Sequence, residues 1–324
     1  MEIDNKKIKL SSMLGKRASF GAALAELAPQ YDNLFAISAD FTRSSGLNKF
    51  AAEFPDKFLN IGIAEQNMIS VASGMASEGY NVFVTSFASF ITSRCYEQVK
   101  LNCGYMKHNI KVVGLAAGVG VAQQGNTHYG LEDVSLMRAI PNMTIVEPAD
   151  CTEVYKAVEA ACHFDGPMYI RLCGEAGDPV VFDEDYDFQI GKCIQVREGK
   201  EIAIIAAGTM VAQSMKAAEL LLESGHDAAV FDMHTIKPID KEALDEIASQ
   251  YKYIVTVEEG NIMGGLGSAV AEYLSDKKGA PSQLILGIND CFPHPGSYPY
   301  MLKELRLDAS GIELNVLQFI ALQL

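Results

Sequence analysis

Short apolar runs alternate with helix-length segments along most of this chain, and that rhythm is what most constrains its fold. Apolar runs at 33–38, 81–85, 110–116, 144–147 and 168–172 read as strands, with helical patterns between them at 64–76, 87–103 and 149–161. Alternation of this kind signals an α/β fold with mostly parallel sheets flanked by helices. In the helix at 149–161, Asp150 is placed to cap and Glu153 to complete a capping box. The rhythm breaks at 174–199, an acidic, turn-rich stretch that reads as an extended linker, with room for a hairpin. It then resumes, with strands at 201–206, 227–232, 253–258 and 284–287 and helices at 208–224, 240–250 and 267–274. Two α/β domains are therefore expected, at 1–175 and 200–324, joined by a linker at 176–199.

Composition narrows the function classes. The chain has 324 residues, 49% of them apolar and 21% charged, so a disordered chain is excluded. With 26 Lys+Arg against 41 Asp+Glu the formal charge is −15, which argues against a nucleic-acid partner. No apolar run reaches the roughly 20 residues that a membrane span needs, so no membrane partner is expected. The seven Cys are scattered without a C-x-x-C, which suits reduced thiols and a cytoplasmic location better than disulfides or zinc.

Ligands of open parallel sheets bind at the carboxyl ends of the strands. Four elements converge there: ADFTRSSG with Asp40 and Ser44, NIGIAEQN with Glu65, SFASF with Phe87 and Phe90, and the Gly-rich GVGVAQQGNTHYG with Gln124 and His128. Taken singly, each has an ordinary explanation: a solvated first-turn acid, two core phenylalanines one helical turn apart, tight turns at glycine. GGLGS (Gly264, Gly265, Gly267) reads as strand-to-helix packing rather than a nucleotide site.

The order of the elements is more specific than any one of them. NIGIAEQNM, FVTSFASFITSRCYEQVKL and GVGVAQQGNTHYGLEDVSLMRAIPNMTIVEPAD resemble the pyrimidine-binding domain of the transketolase family of thiamine-diphosphate enzymes. MHTIKPID, YIVTVEEGNIMGGLGSAVAEYL and GSYPYMLKELRLDASGI resemble the family's C-terminal domain, so the resemblance runs from about residue 10 to about 317. It implies that Glu65 meets N1′ of the cofactor's aminopyrimidine. A carboxyl held in an apolar site can share a proton with that nitrogen and so help to deprotonate the thiazolium C2. It further implies that Phe87 and Phe90 stack on the pyrimidine, that His128 is catalytic and binds donor oxygens, and that Asp40 and Ser44 meet the acceptor.

The departures are as informative. Ser93 stands where a third aromatic is expected, so that wall is less hydrophobic or is filled from elsewhere. Gln124 replaces an acid and Ala116 a second histidine. Gly174 occupies the position of a phosphate-binding arginine, and Arg171, three residues earlier, is the remaining candidate for substrate contact. The GDG motif that holds the diphosphate and Mg²⁺ is absent, so no metal ligands are expected here and both are assigned to a partner subunit. The resemblance thus implies the small subunit of a two-chain transketolase, active only with a GDG-bearing N-terminal subunit. It would move a two-carbon ketol unit from a ketose to an aldose, with sugars or sugar phosphates as substrates. Homodimer contacts within a hetero-oligomer are expected. The alternatives are a deoxyxylulose-phosphate-synthase-like subunit, a 2-oxoacid dehydrogenase E1β-like subunit, or a non-catalytic partner.

Overall fold

A computed structural model describes residues 3–323 and contains two helix-flanked sheets. The first uses β1 (Leu34–Ser38), β2 (Phe58–Asn60), β3 (Asn81–Phe87), β4 (Ile110–Ala117), β5 (Thr144–Val146) and β6 (Met168–Cys173). The second uses β7 (Ile194–Arg197), β8 (Ile202–Ala206), β9 (Ala228–Asp232), β11 (Tyr253–Asn261) and β12 (Ser282–Ile288), while β10 (Thr235–Lys237) belongs to the first. The strand orders are β10-β5-β6-β4-β3-β1-β2 and β12-β11-β8-β9-β7. All pairings are parallel except those of β10 with β5 and β7 with β9, so each sheet carries one antiparallel edge strand. This is the α/β architecture the alternation predicts.

The central strands are buried along their whole length. Every residue of β3, β4 and β6 is buried, as expected where helices cover both faces of a parallel sheet. Among the covering helices are Lys16–Leu27, Glu65–Ser77 and Cys151–His163 on the first sheet and Met210–Glu223 and Ala309–Ala321 on the second. Asp150 caps its helix by accepting from the Glu153 amide at 2.9 Å. The return bond of the expected capping box goes one residue further back, from the Ala149 amide to Glu153 at 2.6 Å.

Two local expectations change. The 174–199 stretch contains no hairpin; it runs irregularly until β7, which pairs with β9 through backbone bonds that composition does not reveal. The helix expected at 87–103 begins later, because Phe87 completes β3. Helical structure runs from Ala88 to Tyr105 with a turn at Cys95, and includes π-helical turns at Phe90–Arg94 and Lys100–Tyr105.

From β1 the chain runs outward to β2 and then returns to β3 on the other side of β1. A strand order that reverses like this opens a crevice at the carboxyl ends. Asp40 follows β1 and Phe87 ends β3, so the candidate residues start from that crevice.

Candidate active site

Glu65 is the first residue of the helix Glu65–Ser77 and is only 2% exposed. Both of its carboxylate oxygens accept from Arg94 Nη1 at 2.9 Å, and the Ser86 hydroxyl lies 3.5 Å away. An apolar setting is what the sequence suggests. The structure instead supplies a cation, because the π-helical turn brings Arg94 over the Phe90 ring, 4.3 Å from its centroid, and within reach of Glu65. Such turns recur at functional sites because they redirect side chains that a regular helix would aim elsewhere.

The aromatic wall has one more member than expected. Phe87 and Phe90 lie 5.8 Å apart, but on a strand end and a helix start rather than on one helix face. Phe41, from the loop after β1, packs 4.5 Å from Phe87. It supplies an aromatic next to Phe87, while Ser93 is exposed and donates to Glu132 at 3.2 Å. The His128 ring completes the cluster, 5.9 Å from Phe87 and 5.4 Å from Phe90. Its Nδ1 is engaged by the Thr127 hydroxyl at 2.9 Å, and its backbone oxygen accepts from Ser89 at 3.1 Å.

Glu65, Phe87, Phe90 and His128 are thus brought together. Asp40, Ser44 and Gln124 are solvent-exposed. Asp40 exchanges hydrogen bonds with Asn60 and precedes Phe41, which puts it at the rim of the cluster. Arg171 is elsewhere, and its expected contact with substrate does not survive. It is 1% exposed, and its guanidinium donates to Asp133, Glu147, the Cys173 sulfur and the backbone oxygens of Gly130 and Glu259. All three nitrogens are consumed by internal acceptors, so nothing is left for a ligand. Gly174 sits at φ +83° with the Asp178 carboxylate 2.7 Å from where a Cβ would stand, so no arginine fits there.

Phe41 and Arg94 escaped sequence reasoning. Phe41 adjoins the Asp40 already singled out, and Arg94 lies four residues after Phe90, a spacing at which helix side chains meet. Glycines 265 and 267 do pack strand to helix: the Leu266 and Gly267 amides at that helix start are taken by Glu258 at 2.9 Å each. Among the described residues, no group of three or more His, Cys, Asp and Glu side chains is placed to hold a metal ion. No helix among them is long and apolar enough to cross a membrane.

A buried acid near a cluster of aromatic rings, at the reversal point of a parallel sheet and followed by a second α/β domain, defines the class of the chain. Comparison with known proteins makes the class particular. Residues 13–176 match the transketolase pyrimidine binding domain and residues 191–312 the transketolase C-terminal domain, and the chain belongs to the transketolase family. It is 37% identical over 314 residues to a protein of Methanocaldococcus jannaschii described as a transketolase C-terminal section, covering 96% of this chain and 98% of that one. It is likewise 37% identical to the 6-deoxy-6-sulfo-D-fructose transketolase subunit of a Clostridium species, covering 91% of each. Among solved structures it superposes on a split-gene transketolase, described as an inactive β4 tetramer, with a TM-score of 0.85 and 37% identity over 94% of this chain and 97% of that one.

Proposed function

We propose that this chain is the small subunit of a two-chain transketolase, transferring a two-carbon ketol unit from a ketose to an aldose with thiamine diphosphate. The observation that carries the reading is the buried Glu65 carboxylate, joined through Arg94 to Phe90 and so to the cluster of Phe87, Phe90 and His128. Relatives matched over nearly their full length and named as a section or subunit support a separate partner chain.

The residues fit the pyrimidine end of the cofactor: an acid for a ring nitrogen and aromatic faces for stacking, offset aromatic pairs contributing roughly 0.5–1.5 kcal/mol beyond burial. Thiamine diphosphate, when bound, supplies a carbon nucleophile that carries the two-carbon fragment. Glu65 would hold the pyrimidine and share a proton with its ring nitrogen, Arg94 keeping the carboxylate compensated until the ring arrives. Phe41, Phe87 and Phe90 would shield the ring from water on that side. With Thr127 on Nδ1 of His128, the other imidazole nitrogen is the one free to bond a substrate oxygen and move its proton. Mg²⁺ and the diphosphate belong, in this reading, to the partner's GDG-bearing domain.

The test is reconstitution with a GDG-bearing subunit and a donor panel of free, phosphorylated and sulfonated ketoses, plus pyruvate. Cofactor-dependent ketol transfer from a ketose supports the proposal. Turnover of pyruvate alone would move the chain to the synthase or dehydrogenase alternatives. Micromolar binding of thiamine diphosphate and Mg²⁺ by the isolated chain, measured by calorimetry, would overturn the half-site reading.

A further inference from the structure

Glu259 lies in β11 of the second sheet, yet its contacts point to the Gly-rich loop that carries His128. Its side chain is fully buried. Oε1 accepts from the Val119 amide at 2.9 Å, at the start of the loop. Oε2 accepts from the hydroxyls of Thr209 and Tyr298 at 2.5 and 2.6 Å, which fix the orientation of the carboxylate. The Glu259 backbone oxygen accepts from Arg171 Nη2 at 2.9 Å, and the same nitrogen donates to Gly130 at 3.1 Å, at the far end of the loop. Gly118 and Gly130 exchange backbone hydrogen bonds at 2.9 and 3.2 Å, so the loop closes where Glu259 grips it. A side chain at Gly118 would collide with Glu259, whose backbone oxygen lies 2.7 Å from the Cβ position, at φ +64°. The middle of the loop is also tied to the second domain, Asn126 donating to the Pro293 oxygen at 3.1 Å.

We infer that Glu259 is a positioning residue: through the ends of the 118–130 loop, the C-terminal domain sets where His128 stands beside Phe87 and Phe90. The inference rests on the reading of His128 as a substrate-facing group. The C-terminal domain then contributes to substrate selection without touching substrate. Three donors converge on one buried carboxylate, and of these only the Val119 amide belongs to the loop; removing the carboxylate takes away that amide's acceptor, so the loop is what loosens. An isosteric amide keeps an oxygen for Val119, and the two hydroxyls can rotate to meet its N–H groups.

The test uses the full chain for hydrogen exchange and the reconstituted complex for kinetics. Glu259→Ala should speed amide exchange across 118–130 by at least about tenfold while β8 and β11 exchange as in the parent, and Glu259→Gln should restore the loop. In the complex, Glu259→Ala should raise KM for the ketose about tenfold with a smaller change in kcat. Combined with His128→Ala it should do no further harm, since both act through one side chain. Parent-like loop exchange in Glu259→Ala, or effects that multiply with those of His128→Ala, would overturn the inference. Should Glu259→Ala not fold, Tyr298→Phe removes one orienting hydroxyl and should give an intermediate rise in loop exchange; no rise sinks the idea. If His128→Ala leaves KM and kcat unchanged, the functional reading of His128 fails and its positioning fails with it, whereas a loop that stays protected in Glu259→Ala defeats the clamp alone.

Discussion

Both carboxylate oxygens of the buried Glu65 are held by a single nitrogen of the half-exposed Arg94, each at 2.9 Å. The acid is the desolvated partner and the cation is the one in contact with water. Arg94→Ala should therefore cost about 1–3 kcal/mol, because it leaves a buried carboxylate uncompensated. Adding Glu65→Gln should recover most of that loss, because the charge goes too. Urea unfolding of the single and double variants measures the coupling; strictly additive losses would show that the pair contributes nothing.

Glu65→Gln and Glu65→Ala should lower kcat of the reconstituted enzyme about 10²–10⁴-fold, the usual range for an acid–base group. Neither residue can relay the proton to the pyrimidine. The fold should survive, since the arginine left behind already faces water. Proton exchange at the thiazolium C2, followed by NMR in the assembled enzyme, checks this. Parent-rate exchange in Glu65→Gln would make Glu65 a structural residue.

Arg171→Met should act on stability rather than on substrate. Asp133 and Glu147 would be left buried, each deprived of its cation at 2.8 and 2.7 Å, and breaking a buried pair on one side costs about 3–5 kcal/mol. Denaturant midpoints and ketose KM separate the two roles. A raised KM at unchanged stability would return Arg171 to the substrate.

Asp232 and Glu153 meet between the two halves of the chain, and neither oxygen of Asp232 has a hydrogen-bond partner outside that pair. Burial pushes Glu153 up to about 7, and burial followed by the neighbouring Glu153 raises Asp232 well above the carboxylate range. The folded chain thus holds a proton that the unfolded chain has released. This contribution is fully present below about pH 3.8, the ordinary value of Asp232, and is lost as pH rises to 7 and beyond, at up to about 1.4 kcal/mol per pH unit for each proton. His234, which burial holds neutral down to about pH 3, gives the opposite slope below 6.5. Comparing Asp232→Asn with the parent cancels it, and asparagine can donate to Glu153. The variant should lose part of the decline between pH 4.5 and 7 in urea midpoints; identical slopes would dismiss the shared proton.

Much of the site was readable from local pattern. Glu65 opens a helix after a turn, Phe87 and Phe90 lie at and just after the end of a strand, and His128 sits in a glycine-rich segment, so alternation and the carboxyl-end rule place all four at one edge. Arg94 was not readable, because its meeting with Glu65 depends on a π-helical turn that no apolar periodicity marks. Arg171 was misread for a related reason. An arginine near a strand end looks available until the acceptors around it, from Gly130 to Glu259, are known to come from distant parts of the chain.

The same division runs through the whole molecule. The sequence by itself determined the two α/β units, the helix cap at Asp150 and the residue types offered at the crevice, since each follows from periodicities and bonds within a few residues. Only the tertiary structure decided that β10 crosses to pair with β5, that Glu65 has a cation, and that Glu259 of the second sheet grips the loop of the first. Those contacts join residues far apart in sequence. They are selected by the need of buried polar groups for partners once the sheets have packed, and no local pattern in the chain records which partner each will find.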